Sequence, residues 1–79
     1  MYLRFVRLKN NEYRFAEVSF HVDHAMLAQE QPVESAGFVK IYEDEFDTEG
    51  HSMSLKMGMD GKDNKLLSEL LGLPVKEYY

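Results

Sequence analysis

The alternation of apolar and polar side chains predicts four β-strands in two pairs. The first pair, YLRFVRLK (residues 2–9) and EYRFAEVSF (residues 12–20), is separated by two asparagines, which tolerate the positive φ that a two-residue hairpin turn requires. The second pair covers residues 37–42 and 52–57. In the last segment Met53, Leu55 and Met57 alternate with serine and lysine, a pattern typical of a sheet covered on one face.

Two further segments have helical patterns. Asp23 is placed as the N-cap of a short helix that begins at His24 and stops before Pro32. Asp60 is placed as the N-cap of a second helix, which ends at Gly72. The apolar stripe of this helix consists of Leu66, Leu67, Leu70 and Leu71. The order ββαββα predicts a single α+β domain over residues 1–79, with a four-stranded, mainly antiparallel sheet and both helices on one face.

The first hairpin has apolar side chains on both faces. The face expected to lie in the core carries Leu3, Phe5, Ala16 and Val18. On the opposite face the apolar residues cluster at the turn end and are Val6, Leu8, Tyr13 and Phe15. Because a sheet packed by its own helices would leave this cluster in water, we expect it to form a homodimer interface. The alternative is a β-bulge near residues 16–17 that returns Tyr13 and Phe15 to the protein's own core.

Composition supports association. A chain of 79 residues buries only about 60% of its unfolded surface, so its core is marginal. The chain has no cysteine, so disulfides cannot add stability, which fits a cytoplasmic protein. No apolar run approaches the roughly 20 residues of a membrane span, and Arg4 and Arg7 interrupt the start of the chain where a signal peptide would be apolar. We therefore expect no membrane partner.

The net charge of −5 comes from one acidic segment, because acids and bases balance elsewhere. Its acidic residues are Glu43, Asp44, Glu45, Asp47 and Glu49. The spacing resembles a calcium-binding loop, but Thr48 stands where the turn needs glycine and Ser54 where a bidentate glutamate belongs. We expect a solvated hairpin loop with Phe46 turned inward. The functional alternative is a contact for a basic protein partner or weak cation binding.

The first hairpin is basic. With asparagines 10 and 11 as the turn, Lys9 faces Glu12, whereas Arg7 faces Arg14. This like-charged pair is the candidate contact for an acidic ligand or nucleic acid. The overall acidity of the chain opposes nucleic-acid binding, which we regard as the least favoured function.

The stretch FHVDHAML (residues 20–27) places two histidines around Asp23. Capping accounts for Asp23, and His21 and His24 would have to turn toward each other to hold a metal. The sequence has no nucleophile motif and no glycine-rich phosphate loop, so we predict no catalytic residue, metal or cofactor. A binding module is favoured over an enzyme. The alternative is a ligand-binding or catalytic protein with a pocket between sheet and helices, lined by Met26, Tyr42, Met53 and Met57.

The segment GHSMSLKMGMDGKDNKLLSELLGL (residues 50–73) resembles the closing strand and helix of small uncharacterised bacterial proteins carried on mobile gene cassettes. The shared elements are a Gly-x-Ser-x-Ser-Leu strand, formed by Gly50, Ser52, Ser54 and Leu55, and a capped leucine helix ending in Leu-Gly-Leu. The resemblance covers the last third of the chain and implies no activity.

Overall fold

The computed structural model describes residues 1–76, apart from the side chain of His51. The elements in chain order are β1 (Tyr2–Leu8), β2 (Tyr13–Glu17), α1 (His24–Ala28), β3 (Val33–Ile41), β4 (Phe46–Glu49), β5 (His51–Ser52), β6 (Met57–Gly58) and α2 (Gly61–Leu71). Strands β1 to β4 form one antiparallel sheet in the order β2-β1-β3-β4, and β5 and β6 form a separate two-stranded ladder. The expected α+β class is confirmed.

The second predicted strand pair is wrong. Strand β3 pairs with β1 and with β4, which lies inside the acidic segment. The alternating segment 52–57 contains a four-residue turn over residues 53–56. The Leu55 backbone N–H donates to Ser52 Oγ at 3.0 Å, and Lys56 has φ of 56°. A serine side chain that hydrogen-bonds to the nearby backbone gives the chain an alternative to a strand ladder. This explains why the alternating pattern predicted a strand where the structure has a turn.

The register of the first hairpin differs from the predicted one by one residue. The connection is a three-residue turn, Lys9–Asn11, in which Asn10 and Asn11 have φ of 63° and 61°. Arg7 therefore faces Tyr13 rather than Arg14. The pairing of β1 with β2 runs without interruption, so the bulge near residues 16–17, considered as the alternative to a dimer interface, is absent. A one-residue slip redistributes every side chain between the two faces of a sheet.

The sheet is covered on both faces. Consecutive residues of a strand point to opposite faces, and Phe5 packs in one core cluster while Val6 packs in another. The Phe5 cluster includes Leu67 of α2, and the Val6 cluster includes Ala28 of α1. The predicted placement of both helices on one face is therefore not confirmed, because each helix covers its own face. We call these the α2 face and the α1 face.

The helix boundaries follow the predicted caps. The Met26 backbone N–H donates to Asp23 Oδ1 at 2.9 Å, which confirms the N-cap of α1. Asp60 forms a capping box with Asp63, and Gly72 ends α2 with φ of 69°. The predicted leucine stripe is only partly buried, since Leu67 is enclosed and Leu70 is 58% exposed.

Candidate functional site

The four residues of the predicted dimer interface do not share a surface. Val6 and Leu8 are buried against α1, inside the protein's own core. Tyr13 and Phe15 lie on the α2 face, where their rings stack with centroids 5.9 Å apart. The predicted interface is therefore wrong for Val6 and Leu8, because the observed register moves them to a covered face. Tyr13 and Phe15 remain half-buried at the margin of the sheet.

The two arginines predicted to contact an acidic ligand are both engaged within the protein. Arg7 is 4% exposed and its guanidinium contacts carboxylate oxygens of Asp60 and Asp63, each at 3.0 Å. Arg14 pairs with Glu12 at 3.3 Å and donates to the Leu27 carbonyl at 3.1 Å. They are not a joined basic patch, because they lie on opposite faces of the sheet.

Asp63 is the centre of a buried polar network that holds α2 on the sheet. Its Oδ1 accepts hydrogen bonds from Arg7 Nε at 3.0 Å, Ser35 Oγ at 2.9 Å and Tyr13 OH at 2.5 Å. Burial, together with the bond to Asp63, raises the pKa of Tyr13. The network therefore fixes the position of Tyr13 beside the edge of the sheet.

Strand β2 is an open edge. The Leu8 N–H donates to the Glu12 carbonyl at 2.7 Å, and the Val18 N–H donates to the Tyr2 carbonyl at 3.1 Å. The even-numbered residues of β2 therefore direct their backbone N–H and C=O groups toward β1. In an antiparallel ladder the alternate residues then direct their backbone groups outward. Among the described residues, no hydrogen bond reaches the outward N–H and C=O groups of Tyr13 and Phe15 or the outward N–H of Glu17.

The two edges of the sheet differ. At the β4 edge the Phe46 N–H donates to the Pro74 carbonyl at 3.1 Å, and the Lys76 N–H donates to the Phe46 carbonyl at 2.6 Å. Val75 thereby forms a parallel bridge with Phe46. Beside the β2 edge lies a shallow groove lined by Tyr13, Leu66 and Leu70. One edge is thus partly covered by the protein's own chain, and the other is left unpaired by the described residues, with two leucines of α2 beside it.

The acidic residues are divided between a turn and a strand. Glu43 and Asp44 are exposed and Glu45 is half-buried in the turn before β4, whereas Asp47 and Glu49 belong to β4 itself. The inward position of Phe46 is confirmed, since its side chain is fully buried. No three potential metal-ligating side chains cluster in the part of the chain that the structure describes. A role for the acidic turn in contacting a basic partner stays a prediction.

A cleft of about 580 Å³ opens on the α1 face. Its lining includes Tyr2, Arg4, His24, Phe38, Glu49 and Met53. Of the four residues predicted to line a pocket, only Met53 does so. Sequence reasoning missed the cleft because it treated segment 52–57 as a strand, whereas Met53 and Ser54 belong to a turn that closes one side of the cleft.

His24 is buried between α1 and the sheet. Its Nε2 is 2.8 Å from the Gly37 carbonyl, and because a carbonyl only accepts, this nitrogen carries the proton. The imidazole meets the Phe38 ring edge-on, with centroids 5.0 Å apart. His24 is therefore a structural residue that forms a wall of the cleft. His21 is exposed, and the two histidines do not form a pair.

Comparison of the chain with protein-family models, with curated proteins and with solved structures finds no match. The resemblance of residues 50–73 to mobile-cassette proteins stays a prediction. Neither described helix is long and apolar enough to cross a membrane.

Proposed function

We propose that this protein is a cytoplasmic homodimeric interaction module that associates through the edge of β2. The observation that carries the proposal is the row of outward backbone groups of Tyr13, Phe15 and Glu17, which no described residue pairs. An unpaired edge is a template for another strand. Because the opposite edge is partly covered by Val75, pairing of β2 with β2 of a second copy is the arrangement that closes the assembly.

Strand overlap and side-chain charge select the register of this pairing. Outward residues of one copy must face outward residues of the other, so a two-fold axis between antiparallel strands lies at Arg14, Phe15 or Ala16. An axis at Arg14 or Ala16 pairs only three of the five residues of β2, and the axis at Arg14 also places two like charges opposite each other, which destabilises a sheet. The axis at Phe15 pairs all five residues and places Arg14 opposite Ala16 of the partner subunit. We propose the register centred on Phe15.

The proposed register also buries aromatic surface. The stacked rings of Tyr13 and Phe15 lie on the α2 face at the proposed two-fold axis. Leu66 and Leu70 provide an apolar flank beside the same edge. Aromatic cross-strand pairs contribute roughly 0.2–1 kcal/mol each. A domain with a marginal core gains stability from such burial, since a two-fold interface repeats each contact.

The test is a proline substitution that removes one outward backbone N–H of β2 and no hydrogen bond between β1 and β2. The Glu17 N–H points away from β1, so Glu17→Pro removes a hydrogen bond to the partner subunit while keeping the β1–β2 ladder. Glu17→Ala is the matched control, because it removes the same side chain and keeps the N–H. Sedimentation velocity over a concentration series measures association, and circular dichroism checks the fold.

We expect the original protein and Glu17→Ala to dimerise and Glu17→Pro to be a folded monomer. A monomeric original protein, or equal dimerisation of the two variants, would contradict the proposal. If Glu17→Pro does not fold, Phe15→Lys replaces it, since a lysine pair at the proposed axis repels. A dimer that survives Phe15→Lys unchanged likewise rejects this interface.

A further inference from the structure

The cleft on the α1 face contains an arginine that pairs with no carboxylate of the described residues. The chain has three arginines, and Arg7 and Arg14 each contact a carboxylate. Arg4 instead donates through Nη1 to the carbonyls of Val18 at 3.3 Å and Phe20 at 3.1 Å. None of the ion pairs among the described residues involves Arg4. Because the cleft lies away from the outward groups of β2, it is independent of the proposed dimer edge.

The two backbone bonds of Arg4 hold its guanidinium in one orientation. They occupy Nη1 alone, and no described residue forms a hydrogen bond with Nε or Nη2. These two nitrogens form one edge of a planar fork that matches the two oxygens of a carboxylate. Arg4 therefore offers a preorganised bidentate site for an anion. Because the fold already orients the guanidinium, binding an anion costs little further side-chain entropy.

The rest of the cleft wall is aromatic and apolar. Tyr2 and Phe38 lie with ring centroids 5.6 Å apart, and Met53, 84% exposed, stands at the mouth. Gly50 has φ of +74°, and a Cβ there would lie 2.9 Å from Phe38 Cδ2. The glycine thus lets the backbone approach the ring of Phe38. A flat apolar ligand fits such a wall, since aromatic groups prefer offset or edge contacts with other rings.

The carboxylates that line the cleft do not compete for Arg4. Glu49 accepts from Tyr2 OH at 2.8 Å and pairs with Lys40 at 3.4 Å. Asp23 accepts from the Met26 N–H at the start of α1. Glu49 is therefore paired with a cation of the protein, and Asp23 is engaged as the cap of α1.

The aromatic rings already have cations of the protein beside them. The Arg4 guanidinium lies 6.0 Å from the Phe38 ring centroid, and Lys40 Nζ lies 5.1 Å from that of Tyr2. A cationic ligand would have to approach these positive groups, whereas an anion is attracted by them. Beside these rings, the open edge of Arg4 thus favours an anionic ligand over a cationic one.

We propose that this cleft binds a small aromatic carboxylate, with the carboxylate on the Nε and Nη2 edge of Arg4 and the flat body against Phe38, Tyr2 and Met53. The volume of about 580 Å³ is in the usual range for small-molecule sites. The ligand class follows from the combination of one orientated guanidinium and an aromatic wall.

The probe is 1-naphthoate, titrated into the ¹⁵N-labelled full chain and followed by two-dimensional NMR, with affinity measured by calorimetry. Two matched probes separate the parts of the site: 1-naphthamide keeps the rings without the charge, and hexanoate keeps the charge without the rings. We expect naphthoate to bind about tenfold or more tightly than either, equivalent to about 1.4 kcal/mol. The backbone amides of Gly50 and Ser54, which line the cleft, should shift.

Two variants test the location. Met53→Glu places a negative charge at the mouth on a side chain too exposed to affect folding, and Met26→Glu is its control, because Met26 is an exposed methionine outside the cleft lining. We expect Met53→Glu to weaken naphthoate binding about tenfold and Met26→Glu to have little effect. Arg4→Gln should abolish the preference for naphthoate over naphthamide.

Several results would overturn the proposal. These are no naphthoate binding up to its solubility limit, equal affinity for naphthoate and naphthamide, shifts confined to residues outside the cleft, or equal effects of Met53→Glu and Met26→Glu. Because Arg4 also holds two backbone carbonyls, Arg4→Gln is interpreted only with a folded spectrum. The Met53 and Met26 pair decides the location if Arg4→Gln does not fold.

Discussion

Replacing Asp63 by alanine should remove a large share of the stability of this domain. Asp63 is 0% exposed, and its two oxygens accept four hydrogen bonds. Arg7 Nε, Ser35 Oγ and Tyr13 OH donate to Oδ1, and the Asp60 backbone N–H donates to Oδ2 at 3.1 Å. Alanine leaves the three side-chain donors without this acceptor. The exposed carboxylate of Asp60 then becomes the charged partner of the buried Arg7 guanidinium.

The magnitude follows from this burial. Removing one partner of a buried ion pair costs about 3–5 kcal/mol, because the other charge stays buried. At 0.05–0.15 kcal/mol per residue, a domain of 79 residues has a free energy of unfolding of about 4–12 kcal/mol. A loss of about 3–5 kcal/mol is between about a quarter and all of this range, so Asp63→Ala should move the urea midpoint to a much lower concentration, and at the low end of the range it should be unfolded without denaturant. Asp63→Asn keeps one carbonyl acceptor and should lose less.

Urea denaturation at neutral pH, followed by far-ultraviolet circular dichroism, measures the change. Asp60→Ala is the control at the same end of α2, because it removes the N-cap and an ion pair whose carboxylate is 57% exposed. Its expected cost is about 0.5–2 kcal/mol. A loss for Asp63→Ala no larger than that for Asp60→Ala would refute the reasoning, since burial would then have no measurable consequence.

Three further changes test separate parts of the structure. His24→Ala should cost about 1–3 kcal/mol in urea denaturation, because it removes a buried side chain and its hydrogen bond to the Gly37 carbonyl, whereas exposed His21→Ala should change stability by less than about 0.5 kcal/mol. Gly50→Ala should lower the melting temperature more than Gly72→Ala, since both have positive φ but only Gly50 lies against an aromatic ring. The pKa of Tyr13 is raised in the folded state, so its contribution to stability is complete below its ordinary value of 10.0 and is lost as pH rises further. Tyr13→Phe should show a shallower loss of stability above that pH, measured by urea midpoints across an alkaline series.

The features predicted correctly from sequence are those decided within one turn of chain. Asp23 and Asp60 cap their helices, and Gly72 ends α2 in the left-handed region. Each of these assignments depends on a side chain or a φ angle and the backbone groups next to it. The first hairpin also turns where the asparagines predict, at Asn10 and Asn11.

The register could not be read in the same way. Two adjacent asparagines are compatible with both a two-residue and a three-residue turn, and the choice moves every cross-strand pair by one position. In the structure Lys9 joins the turn, which places Val6 and Leu8 under α1. The predicted interface failed for this reason, although Tyr13 and Phe15 remained at the margin of the sheet.

Strand β4 was not predicted because its sequence is acidic. Its residues do alternate, since Phe46 and Thr48 point to the α2 face while Asp47 and Glu49 point to the other face. The density of acids led to a loop assignment, because Asp and Glu are depleted in strands. A lysine of the neighbouring strand compensates part of this charge, since Lys40 pairs with Glu49 at 3.4 Å. Such compensation comes from a neighbouring strand, which local sequence does not identify.

The three arginines of the first hairpin show why the candidate site lay beyond sequence reasoning. In the sequence they belong to one basic segment, and the predicted hairpin register selects Arg7 and Arg14 as the ligand contact. The fold gives them different environments: Arg7 is buried against Asp63, Arg14 ties β2 to the end of α1, and Arg4 at the cleft donates to backbone carbonyls. The arginine that pairs with no described carboxylate was thus the one that the charge pattern did not select. Since the partners that distinguish these arginines come from distant segments, only the tertiary structure separates a stabilising arginine from one that can receive a ligand.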